Sequence, residues 1–359
     1  MPKKIFLILA AVFTIVIVIS VIQTSKFYPI IFQLLFNREI QLKKADNNIN
    51  ILLLGTGGGK HEGPNLTDTI IFVTVNEESN KVTPISIPRD LWVPELSAKV
   101  NMAYAVGEDR RKGGGIVLVK AVIAKILNQQ IDYVVRIDFD GFVKSVDVLG
   151  GIEVNVANSF EDFEYPIIGK ENDPCDQKEE DLKMLATASS QLEAFPCRYD
   201  HFRFDKGIQL MNGETALRFV RSRHAKGKEG TDFARSKRQE QVIKAFKDKI
   251  FSLNFFLNPA KVIGFYNAMQ ESIDTNIKEE EFDDFVRLAQ KLKNAQIQST
   301  VLDYGDEKEK RPGLLVNPPI SDEFNMQWVL IPRIGNGDFS EIQKYVECEI
   351  KVGNCPIAN

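Results

Sequence analysis

Histidine and cysteine are scarce in this chain of 359 residues, with 3 of the first and 4 of the second. His61, His201 and His224 lie far apart, and no two cysteines stand in CxxC spacing, so the closely spaced ligands of a zinc site are missing. A zinc enzyme is disfavoured. An excess of positive charge is missing too. The 45 Lys+Arg and 49 Asp+Glu leave a formal net charge of -4, with no long-range field to draw the molecule onto nucleic acid. Glycine and proline, at 23 and 15, are too few for a collagen-like or mainly disordered chain. What is present, 44% hydrophobic and 26% charged residues, suits a folded protein of one large domain or two smaller ones.

One long apolar run stands out. Ile5 to Ile22 carries no charge, has about the length that crosses a bilayer, and follows Lys3 and Lys4. The expectation is a cytoplasmic N-terminus (1–4), a transmembrane signal-anchor helix (5–22) and a juxtamembrane segment (23–47), with everything later outside the cytoplasm. The competing reading, a cleaved signal peptide, meets an apolar run beyond the usual length and no small-x-small site after it. An oxidising compartment permits disulfides, and the cysteines fall as two local pairs, Cys175 with Cys197 and Cys348 with Cys355.

After this run, NILLLG, DTIIFVTV and KVTPISIP (50–55, 68–75 and 81–88) are short, β-branched stretches between turn residues, as expected of strands. Residues 113–128 carry a helical apolar stripe through Val119, Val122, Ile123 and Ile126. A strand (YVVRIDF), a helix (GFVKSVDVLGG) and a further strand (IEVNV) follow. The alternation indicates an α/β sheet covered on its faces. From about 159 to 204 the pattern breaks into a polar excursion, read as an inserted loop closed by the first cysteine pair. Residues 212–223 read as a short helix running into a strand, and Arg235 to Phe251 as a longer helix.

The unusual chemistry lies in arginines. Arg218, Arg221, Arg223, Arg235 and Arg238 crowd 21 positions of sequence, and a strand at RFVRSR would aim Arg221 and Arg223 the same way. Asp232, Arg235 and Gln239 share one face near the start of the next helix. Guanidinium forks beside a helix N-terminus suit phosphate or pyrophosphate, while a solvated basic face is the plain alternative. Arg89 and Asp90 of SIPRD follow a strand, a position where α/β sites often sit. The loop from Gly55 to Thr69 could bring backbone N–H groups to an anion. It is no Walker A loop, because Gly55 and Lys60 are one position too close and His61 stands where Ser or Thr is needed. Asp68 offers this loop a carboxylate suited to a hard cation.

NILLLG, LTDT, SIPRD, KVNMAY, MNGETALRFVRSR and DFARSKRQ occur in an order and spacing that resemble the LytR-CpsA-Psr family over roughly residues 48 to 250. The resemblance implies a phosphotransferase that moves a glycopolymer from a polyprenyl-pyrophosphate carrier onto a peptidoglycan or other wall hydroxyl. It implies an α-β-α sandwich with a mixed central sheet and an apolar lipid-binding tunnel, walled by the helices near 116–127 and 141–149. The catalytic core would cover 48–255, with 256–359 as an extension of the same domain. By motif, Arg89, Lys99, Arg221, Arg223, Arg235 and Gln239 would contact the pyrophosphate. Asp68 would hold Mg2+ or Mn2+, and Asp232 would support the arginines or a proton transfer. Asp68, Arg89, Asp232 and Arg235 form the implied catalytic set. The chain departs from the family where an Asp and two Arg are usual, reading Gly57, Gly59 and Leu66 instead, with Glu62 the substitute candidate for the metal. Two other readings stay open: a polyprenyl-pyrophosphate pyrophosphatase, or a non-enzymatic lipid- or glycan-binding envelope protein.

Overall fold

The computed structural model describes residues 39–357 apart from 60–62, scattered positions between 168 and 189, 251–263, 266–271 and 306–311. The chain begins with strands β1 (Asn48–Thr56), β2 (Thr67–Asn76) and β3 (Lys81–Ser86). Helices α1 (Met102–Arg110) and α2 (Gly114–Leu127), strand β4 (Tyr133–Asp138), helix α3 (Phe139–Val148) and strand β5 (Ile152–Val156) follow. Next come β6 (Phe160–Pro166), β7 (Tyr199–Phe204), β8 (Gly207–Met211), α4 (Gly213–Arg221) and α5 (Asp232–Ile250). The last part holds β9 (Ile273–Thr275), α6 (Phe282–Lys291), β10 (Gln296–Ile297), β11 (Thr300–Val301) and α7 (Ser340–Lys351).

The central sheet has the order β9-β4-β1-β2-β3-β10, with β11 also pairing with β3. β2 is antiparallel to β1 and β3, β4 is parallel to β1, and β10 and β11 are parallel to β3. The carboxyl ends of β1, β3, β4 and β11 therefore meet the amino end of β2 at one edge of the sheet. Period-two alternation divides the core. Leu52, Leu54, Phe72 and Val134 pack with Val119 and Ile123 of α2 and with Ile342 of α7, while Ile49, Val73 and Tyr133 pack with Leu288 of α6. α1 and α2 touch backbone to backbone, for a Cβ on Gly107 would stand 2.4 Å from the Gly114 carbonyl oxygen. A further core joins β5, β6, β7 and β8 to α4 and α5 through Val154, Phe160, Phe204, Met211, Phe219 and Val242.

Several expectations are corrected. The fold is a mixed α/β sheet with helices, and among the described residues no helix is long and apolar enough to cross a membrane. The longest of these, α5, has 19 residues but carries charges from Asp232 to Lys249, and the apolar α2, at 14 residues, is about 21 Å long against a hydrocarbon core of about 30 Å. The run from 5 to 22, on which the signal-anchor, the transmembrane helix and the single-pass localisation rested, lies outside the described residues. The helices expected to wall a lipid tunnel turn their apolar faces into packed cores. Val119, Ile123 and Ile126 belong to the cluster on the sheet, and Val146 to that of β5 and α4. The excursion at 159–204 is no mere loop, because β6 and β7 at its ends pair as an antiparallel ribbon. RFVRSR contains no strand, since α4 runs through Arg221 and ends at Ser222.

Both disulfides form, Cys175–Cys197 and Cys348–Cys355. The second closes the end of α7, where Glu349 accepts from the backbone N–H groups of Asn354 and Cys355 at 3.2 and 2.8 Å. Cys348→Ser with Cys355→Ser removes a short loop constraint and should cost about 2 kcal/mol. Thermal denaturation of the double variant checks this.

Candidate functional site

The edge where the strand ends meet holds a solvent-open cleft of about 400 Å³, lined by Asp68 and Thr69 of β2, Ser86 at the end of β3 and Pro88 after it, and Arg235 and Gln239 of α5. Its remaining wall includes Asp303 and Tyr304, which follow β11. A cleft beyond strand ends is where such sheets commonly bind ligands. Arg89 donates from Nη1 to Asp68 Oδ1 at 2.5 Å, and its Nε stands 3.5 Å from Asp90 Oδ2. Lys99 Nζ donates to the other Asp90 oxygen at 2.7 Å. The result is an alternating chain of charges, Asp68, Arg89, Asp90, Lys99, that fixes Arg89 from two sides. Its first pair keeps side-chain exposures of 37% and 30%, so a ligand can reach it. Gln239 Nε2 donates to Thr69 Oγ1 at 3.2 Å and ties α5 to the opening of β2.

Arg221 approaches the same edge from α4. Its Nη1 donates to the Tyr165 hydroxyl at 3.2 Å, and its guanidinium lies 4.4 Å from the ring centre of Phe139, the residue directly after β4. Burial raises the pKa of Tyr165 above the ordinary phenol value, with the charge of Arg221 pulling the other way. Two side chains arrange the turn that follows. Asp162 on β6 is fully buried and accepts from Ser222 Oγ at 2.6 Å and from the N–H groups of Arg223 and His224 at 3.2 and 3.3 Å. Arg238 is also buried, and donates to the carbonyls of Phe219, Ser222 and Glu229 at 3.0, 2.7 and 2.8 Å. These carbonyls include orphans of the α4 C-terminus, which a guanidinium satisfies in place of a further helical turn. Burial pulls the Arg238 pKa below the ordinary guanidinium value, against the upward pull of Glu229.

Of the residues singled out from the sequence, Asp68, Arg89, Arg235 and Gln239 converge on the cleft region. Lys99 turns to Asp90, and Arg223 is placed by its backbone bond to Asp162 rather than by strand alternation. Glu62 and the side chain of Asp232 lie outside the described residues. Asp162, Asp303 and Tyr304 escaped the sequence reading. Asp162 sits in a run of acidic and aromatic residues with no motif, and its role shows only when β6 pairs with β7. Asp303 had one readable signal, a carboxylate directly after the apolar pair Val301 and Leu302.

The described residues do not make a ready cation site. A hard cation takes several oxygen ligands, and Asp68 already carries Arg89. The group of three close metal-type residues found among the described ones is Asp173, Cys175 and Cys197, and both of its cysteines are spent in the disulfide.

The model of the LytR_cpsA_psr family matches residues 26–316. The chain belongs to this family. Among curated LytR_cpsA_psr relatives, the polyisoprenyl-teichoic acid–peptidoglycan teichoic acid transferase TagU of Bacillus cereus is 27% identical over 251 residues, covering 68% of this chain and 66% of the relative. Biofilm regulatory protein A of Streptococcus mutans is 30% identical over 244 residues, covering 64% of this chain and 50% of the relative. The chain thus spans between half and just under two thirds of these relatives. The crystal structure of B. subtilis TagV shares the fold at TM-score 0.52 and 23% identity, covering 85% of this chain and 97% of that one.

Asp162→Ala should lower the stability of this LytR_cpsA_psr domain by about 3 kcal/mol, since it strands a hydroxyl and two N–H donors in the interior. The exposed Asp205→Ala should stay within about 0.5 kcal/mol of the parent. Urea denaturation of the two variants provides the comparison.

Proposed function

We propose that the protein is a phosphotransferase that moves a glycopolymer from a polyprenyl-pyrophosphate carrier onto a hydroxyl of the cell wall, with peptidoglycan as acceptor. The observation that carries this reading is the convergence of residues from three separate motifs at the sheet edge: Asp68, Arg235 and Gln239 line one cleft, and Arg89 is bonded to Asp68 beside it. The relatives named as teichoic acid transferases support the substrate class.

In this reading the wall hydroxyl attacks the sugar-side phosphorus. A new P–O bond forms, the bridging P–O bond of the diphosphate breaks, and polyprenyl phosphate leaves with the bonding electrons. Phosphoryl transfer asks a protein mainly for positioning and charge neutralisation. Arg89 and Arg235 meet the charge gathering on the phosphate oxygens, and the bond between Gln239 and Thr69 holds α5 in register with β2. The hydroxyl proton needs a carboxylate acceptor. Of the two motif candidates, Asp68 and Asp232, Asp68 lines the cleft, where Arg89 orients it.

The test incubates the purified full chain with a lipid-linked glycan and peptidoglycan. Wall-bound sugar together with polyprenyl phosphate is the expected result. Release of phosphorylated glycan to water alone would make the protein a pyrophosphatase, and binding without turnover would make it a lipid or glycan carrier. Arg89→Ala and Arg221→Ala should each lower transfer at least about a hundredfold, the scale of losing one preorganised contact to a developing charge.

A further inference from the structure

Arg136 belongs to none of the shared motifs, yet it stands at the same edge. It lies near the carboxyl end of β4, in register with Leu54 of β1 and Asp274 of β9. Its Nη1 donates to Oγ1 of Thr56, the last residue of β1, at 2.9 Å, and its guanidinium lies 5.4 Å from the ring centre of Tyr104. Tyr104 is itself anchored, donating its hydroxyl to Asp274 Oδ2 at 2.6 Å. Burial and that acceptor hold its pKa above the ordinary phenol value. Arg89, Arg218 and Arg238 each sit on a carboxylate. Arg136 makes no such ion pair among the described residues, and its buried Nε has no hydrogen-bond partner.

A guanidinium donor buried without a partner is costly unless something else meets it. The local backbone leaves room for that. Beyond Thr56 the chain reads Gly57, Gly58, Gly59, so no side chain rises from these three positions. Gly58, at φ 69°, lies so close to the end of β4 that a Cβ would stand 2.6 Å from that of Asp138. One strand, β1, separates Arg136 from β2, where Asp68 stands, a span of about 10 Å.

We propose that Arg136 is a further substrate-binding residue, whose guanidinium meets an anionic oxygen of the diphosphate from the β4 side of the glycine loop while Arg89 and Arg235 hold it from the cleft. This rests on the phosphotransferase reading and adds to it a contact from β4. Thr56 and Tyr104 are its positioning residues, fixing the guanidinium plane before the ligand arrives.

The experiment measures binding of inorganic pyrophosphate to the full chain by calorimetry, alongside the transfer assay. Arg136→Gln should raise Kd at least about tenfold and lower transfer by a similar factor, in line with losing one charge-assisted fork. Arg136→Lys, which restores the charge without the fork, should recover part of the loss. It also serves as the reporter should the Gln variant fail to fold. Arg218→Gln, whose parent residue is paired with Asp200 and Glu214, should bind as the wild type does. Wild-type Kd in a folded Arg136 variant would overturn the inference and leave the phosphotransferase reading standing. A wild-type chain that binds no pyrophosphate would overturn both.

Discussion

The direction of β1 sets everything else in the molecule. Because it is antiparallel to β2 on one side and parallel to β4 on the other, its carboxyl end, the carboxyl end of β4 and the amino end of β2 share one edge. Asp68 follows from the pairing with β2, and Phe139, with Arg221 beside it, from the pairing with β4. Reversing either strand would carry its residues to the far edge, about 30 Å away for strands of nine or ten residues. The arginines need a common target before their charges can act together, and it is the sheet that provides one.

Charge at this edge is arranged rather than accumulated. Arg89 is balanced by Asp68 and Asp90, and Lys99 by Asp90. Arg238 is withdrawn altogether, spending its donors on backbone carbonyls and on Glu229. A run of bare like charges would repel itself and stay in solvent. Division of labour among the arginines, some clamped by acids and one consumed as a helix end, allows the segment from 218 to 238 to fold against β5 and β6.

Much of the frame was legible in the sequence because period-two and period-3.6 patterns mark strands and helices directly. β1, β2, β3 and α2 lie within a few residues of the apolar stretches that announced them. What escaped was whatever depends on contacts distant in the chain. RFVRSR reads as a strand by its alternating arginines, yet Asn212 caps a helix by accepting from the Thr215 N–H, and that helix runs on through Arg221. The polar excursion concealed a ribbon because its two strands stand about 40 residues apart and declare themselves only by pairing. At the site, the shared motifs brought Asp68 and Arg89 to attention, whereas Asp303 reaches the cleft through β11, a strand of two residues that no periodicity could mark.

The ribbon of β6 and β7 has a consequence for how such a chain can vary. Its stem supplies Asp162, the acceptor that gathers the backbone after α4, whereas the disulfide between Cys175 and Cys197 lies farther out along the excursion. An evolving lineage could lengthen, shorten or re-staple the outer portion without disturbing Ser222 to His224. Trimming past Asp162 would instead release the arginines from their shared posture. Tolerance to insertion and intolerance to deletion thus meet within a single hairpin, separated by a few residues of strand.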